Sequence, residues 1–283
     1  MLVAAACAAW GTGVAAQTFT PKPPTAADWA ALGKLPDFNG VWEAGGGGGG
    51  RGAAGRGGAG AGARGAAGPG ARAAGPEGAP AVATGRGRGA PAGPALTAEY
   101  AARRKALQDR AFEDSQAANC VPPGMPGIMT QPYPMEFLLT PGMVTIVIEA
   151  YQQVRHIYTD GRPLPADPDP TFHGTSIGRW EGGTLVVETV GFSPQTLLTA
   201  NTPHGDKMKI VERFALADPD TMTIETTITD PEALTAPLTT SRALRRHRDW
   251  TLAEYICEEN NRNSVDQSGK AGINLSNPGG GRK

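Results

Sequence analysis

The chain has 283 residues, 40 of them Gly and 25 Pro, with a formal net charge of −1 at pH 7. That balance argues against nucleic acid or an anionic membrane surface as the main partner. So much Gly and Pro, unevenly placed, excludes one uniformly packed domain. Past the N-terminus nothing approaches the ~18 consecutive apolar residues that a membrane span requires.

Residues 1–16 read as a signal peptide. They are small and apolar, and Val14-Ala15-Ala16 before Gln17 fits the small-residue rule for a signal-peptidase site. The positive n-region is missing, and Ala4-Ala5-Ala6-Cys7 offers a faint lipoprotein alternative. The expected destination is the periplasm or the exterior. Without the leader two cysteines remain, Cys120 and Cys257. In an oxidising compartment they read as one disulfide closing a loop of more than a hundred residues. No Cys-x-x-Cys or local Cys–His pattern supports a catalytic thiol.

Residues 17–43 begin with a short helix over 26–32, capped by Thr25 and stopped by Gly33. A first strand follows at 38–42. Its Gly40-Val41-Trp42 resembles the start of lipocalin-type barrels, whose Trp packs across the closed end; the plainer reading is an aromatic core residue. Residues 44–94 are Gly, Ala and Pro with six Arg and one acid, Glu77. Such a segment buries too little apolar surface to offset its ordering entropy, so it reads as a disordered insertion. Its Arg residues suggest a polyanion, but without aromatics for base stacking a solvated linker is favoured.

Residues 95–262 form the main domain. Thr97 opens an amphipathic helix to about residue 114, with Tyr100, Leu107 and Phe112 as its apolar residues. A Pro-rich extended stretch follows, pinned by Cys120, Met125, Ile128, Met129 and Tyr133. Strands are expected at 135–140 and 143–149 around Pro141-Gly142, at 154–159, and at 175–180 and 184–190 around Glu181-Gly182-Gly183. Further pairs fall at 208–216 with 222–229 and at 238–246 with 250–257. Many strands on short turns, with helices only near the N-terminus, predict a mainly β fold. The expected form is an antiparallel meander closing into a lipocalin-like (calycin) barrel, with a β-sandwich as alternative. Residues 263–283 read as a disordered tail.

Several long motifs carry a resemblance: NCVPPGMP, TQPYPMEFLLTPGMVTIVIEAYQQVRHIYTDGRP, SIGRWEGGTLVVETVGF, IVERFALADPDTMTIETTITDP and EYICEENNR. Together they resemble a large family of exported bacterial proteins with no assigned activity, over residues 119–262. The resemblance implies export and a common domain, and no mechanism. Such proteins often carry Cys-His-Glu-Gly-Asn near the end, where this chain has Cys257-Glu258-Glu259-Asn260-Asn261. The Gly/Arg insertion is a second departure.

Polar residues inside strands mark the candidate chemistry. By the period of two, His156 and Tyr158 share one face of their strand and Arg155 takes the other. An enzymatic reading makes His156 a general base and Tyr158 a proton donor, with Glu212 or Glu254 as partner carboxylate. That set would suit an isomerase, lyase or hydrolase. The plainer reading is cross-strand salt bridges and a solvated histidine. Four His without metal-ligand spacing argue against a metal, although His173 could join Asp167 and Asp169 around a cation. Gly174-Thr175-Ser176-Ile177-Gly178 matches the letters of a nucleophile elbow, but a strand continues through it where that elbow needs a helix. No cofactor motif is present, and the glycines are not placed as a phosphate loop. The leading expectation is an exported barrel binding a small, mostly apolar molecule, with Trp42, Glu149, Tyr151, Arg155 and Trp180 as ligand-binding residues. The alternatives are the enzyme above and an envelope adaptor using the Gly/Arg segment. Oligomeric state is not encoded in these patterns.

Overall fold

A computed structural model describes residues 19–44, 93–109, 116–257, 264–265 and 271–272. The expected leader and most of the insertion and tail lie outside the described residues. The described residues hold two α-helices, α1 (Ala26–Leu32) ahead of the first strand and α2 (Ala98–Asp109) between the first and second strands. Thr25 and Asp28 form a capping box that satisfies the first amides of α1.

The first strands are β1 (Gly40–Ala44), β2 (Met135–Thr140), β3 (Met143–Ile148), β4 (Gln153–Tyr158), β5 (Thr175–Glu181) and β6 (Thr184–Val190). A small ribbon, β7 (Leu197–Thr199) with β8 (Thr202–Pro203), precedes β9 (Lys209–Asp218), β10 (Thr221–Thr229) and β11 (Leu238–His247). Nine described strands close a barrel in the order β1-β11-β10-β9-β6-β5-β4-β3-β2. The lipocalin-like expectation is met. A separate pair, β12 (Ser264–Val265) and β13 (Ala271–Gly272), lies near the C-terminus.

Two details differ from a pure meander. β4 and β5 are parallel, with Ile157 opposite Ser176 and Tyr158 opposite Ile177. The connection carries Pro163, Pro165, Pro168 and Pro170, which lack donors for a ladder, so it crosses back along the barrel instead of pairing. The strand expected at 250–257 does not form. β1 takes the edge of β11 from Val41 opposite His247 to Ala44 opposite Leu244. Trp250 stacks on His247 instead, with ring centroids 3.6 Å apart.

At the lower end, where the tight turns lie, the lumen is filled. Trp42 is fully buried and donates its indole N–H to the Phe38 carbonyl at 2.8 Å. The Arg246 guanidinium covers its ring at 4.4 Å and bonds Asp37 through both the carboxylate and the main-chain carbonyl. Phe38 packs on Trp180, and Phe137 meets Phe214 further up the lumen. The upper end is capped by the Pro-rich stretch, whose Met125, Ile128 and Met129 are buried. Gly124, at φ +63°, lets that stretch pass where a Cβ would strike Thr196 and the Phe172 carbonyl. Cys120 and Cys257 are joined, with Cα atoms 5.7 Å apart, and tie this cap to the chain after β11. Such a cross-link belongs to an oxidising compartment. Among the described residues no helix is long and apolar enough to cross a membrane.

Candidate functional site

Side-chain alternation along β4 is the reverse of what hydropathy suggests. Val154 is 44 % exposed, whereas Arg155 is 1 % exposed and points into the lumen beside Ile157. A buried guanidinium needs a counter-charge and acceptors. Across the barrel β9 supplies Glu212, also 1 % exposed, whose two oxygens accept a bidentate fork from Arg155. Arg155 Nη2 further donates to Ser176 Oγ at 3.3 Å and Thr189 Oγ1 at 3.1 Å, which face each other on β5 and β6. Ser176 is thus a structural partner inside a continuing strand.

Above this pair lies His173. Gln153 gives its amide N–H to the Tyr151 carbonyl, so its oxygen is free to accept from His173 Nε2 at 3.0 Å. Nδ1 is then a buried lone pair without a donor. Burial, with the positive charges of Arg155 and His156 adding to it, pushes the His173 pKa down to about 4. The folded state therefore holds this imidazole neutral while the unfolded chain titrates near 6.5. The stability it contributes is complete above pH 6.5 and is lost as pH falls towards 4. Urea midpoints between pH 7 and 4 are expected to fall in wild type and to fall less steeply in His173→Gln.

Arg242 is the residue the sequence reading missed. It sits on the lumen face of β11, two positions before buried Leu244 and four before Arg246. That period of two was the available signal. Arg242 Nη2 is buried without a hydrogen-bond partner. Burial lowers its pKa, and the charge of Glu212 works in the opposite direction.

The expected catalytic set is not brought together. His156 is exposed on the outer face of β4, with Thr145 Oγ1 3.4 Å from its Nδ1. Tyr158 shares that face but lies under Arg162, 3.7 Å from its ring centroid. Glu212 is sealed inside with both oxygens engaged, and Glu254 is exposed beyond β11. General acid–base chemistry needs these groups within hydrogen-bond reach of one substrate, so they form no shared site. Among the described residues no group of three or more His, Cys, Asp or Glu could hold a metal ion.

Of the expected ligand-binding residues, Trp42 belongs to the lower plug and Arg155 to the internal ion pair. Glu149 accepts the Ala253 amide at 2.9 Å. Tyr151 packs on Tyr255, which also meets Tyr133. Burial, with both neighbouring phenols adding to it, pushes the Tyr255 hydroxyl up to about 12. Trp180 is the expected ligand-binding residue that borders a groove among the described residues. This groove, of about 810 Å3, lies between the lower end of the barrel and the N-terminal segment carrying α1. Leu32 and Leu35 come from that segment, with Leu139, Val144 and Tyr158 from the strands opposite. At its rim Arg162 bonds Asp160 at 2.6 Å and lies over Tyr158, with Phe19 on it at 4.9 Å. α1 buries none of its residues, so its apolar side chains are available to an occupant. Compared with family models, curated proteins and solved structures, the chain matches none.

Proposed function

We propose that this is an exported lipocalin-like barrel that binds a small, mostly apolar molecule, and that the groove beneath α1 is where it binds. The groove carries the reading. Its volume of about 810 Å3 falls in the range of small-ligand sites, and leucines, Trp180 and Tyr158 line it together with the Asp160–Arg162 pair, Lys22 and Asp28. The filled lower lumen moves the site from the barrel interior to its end. The Cys120–Cys257 disulfide supports export, as does the resemblance to exported bacterial proteins. The adaptor alternative concerns residues outside those described.

The uncharged fluorophore N-phenyl-1-naphthylamine tests the reading. It is expected to brighten saturably on wild-type protein. Leu32→Asp places a carboxylate in the groove from a helix with no buried residues, so the fold should survive. Affinity should fall at least about tenfold, because desolvating that charge opposes binding. Equal binding by both proteins would remove the groove from consideration.

A further inference from the structure

Among the described residues the charges on the lumen face of the barrel wall do not balance. Arg155 is matched by Glu212 through two hydrogen bonds, and Arg246 is matched by Asp37 at the lower end. Among the described residues Arg242 makes no ion pair, and its Nη2 is enclosed without a hydrogen-bond partner. Arg155 adds a second buried nitrogen, Nε, also without a partner. Both oxygens of Glu212 are already engaged. An enclosed guanidinium N–H without an acceptor is costly even on a half-buried arginine, and the group that matches a guanidinium best is an anion with two acceptor oxygens.

β1 pairs with β11 only from Ala44–Leu244 downwards. Among the described residues no strand pairs with β11 on that side from residue 238 to 243, and Thr239, Thr240, Ser241 and Ala243 are exposed. On the lumen face Ile224 lies opposite Arg242, Met222 and Leu244 pair one layer below, and Thr226 with Thr240 forms the layer above, followed by Ile228 with Leu238. A bare inorganic anion would leave those side chains unused.

We propose that Arg242 is the anchor of a second binding site, which holds the carboxylate of a small organic acid whose apolar body lies along β10 and β11. The site is distinct from the groove beneath α1 and stands or falls without it. A carboxylate there accepts from Arg242 and restores neutrality in the upper lumen.

Thermal unfolding with decanoate, acetate and decanol as probes tests this. Decanoate is expected to raise the Tm of wild type saturably, by roughly 5–10 °C once it exceeds its Kd about a hundredfold. Acetate should act only at much higher concentration, and decanol should have no comparable effect. Arg242→Met keeps the volume and removes the unmatched charge. It is expected to unfold at a higher temperature than wild type without ligand and to lose the response to decanoate. A ligand-free Arg242→Met less stable than wild type would mean that the guanidinium has its partner within the protein, which overturns the proposal. So would equal shifts from decanol and decanoate, or a decanoate shift retained in Arg242→Met. Acetate as effective as decanoate would keep the anion site and exclude the apolar body.

Discussion

Glu212→Gln is expected to lower the free energy of unfolding by about 3–5 kcal/mol, the usual cost of stripping one partner from a buried ion pair. The upper part of that range applies here. Arg155 would lose both oxygens of its fork and keep only the neutral hydroxyls of Ser176 and Thr189. The charge of Glu212 also acts on Arg242, whose Nη2 has no hydrogen-bond partner, so removing Glu212 leaves two guanidinium groups without its compensation. Arg155→Met should cost less, because Glu212 then has Arg242 as an alternative partner; the two already interact. Arg155→Met combined with Glu212→Leu removes both charges, and much of the loss should be recovered. Urea unfolding of the three variants gives the comparison. A Glu212→Gln protein more stable than Arg155→Met would contradict this electrostatic ordering.

Replacing both Cys120 and Cys257 by Ser is expected to cost ~4–5 kcal/mol, since the cross-link spans 137 residues and restricts the unfolded chain strongly. The effect lies mainly in the unfolded state. The urea m-value should therefore rise as the unfolded ensemble expands and exposes more surface. The folded barrel closes through β1 and β11 without the disulfide, so the variant should keep its β-sheet spectrum below its transition. A loss under ~1 kcal/mol with unchanged m would show that the cross-link only fastens residues 251–257 to the cap.

Much of the barrel was legible because strands reveal themselves through alternation and tight turns. The Glu181-Gly182-Gly183 turn, the β2–β3 hairpin and the β9–β10 pair all fall where the pattern places them. Trp42 at the closed end and the Cys120–Cys257 pair were also readable. Alternation gives parity, however, and not which parity faces the lumen. On β4 it correctly puts His156 and Tyr158 opposite Arg155. The choice between faces is made by Glu212, 57 residues away, which draws the arginine inward and leaves Val154 in solvent.

The strand expected at 250–257 failed for a related reason. Its apolar residues suit a strand, but β11 has one free edge and β1 occupies its lower part. The parallel β4–β5 contact is equally remote, since it depends on where a proline-rich crossover lands. The groove could not be read because its two walls lie more than a hundred residues apart and α1 buries nothing to mark its inner face. Arg242 was within reach, sharing its parity with Leu244 and Arg246. Surrounding charges disguised it as part of a solvated strand.

The most direct measurement of the central claim is a crystal structure of the protein soaked with N-phenyl-1-naphthylamine. Density for the fluorophore is expected between Leu32 on α1 and Trp180 on β5. Density at another place, or an empty groove at concentrations that saturate the fluorescence, would contradict it.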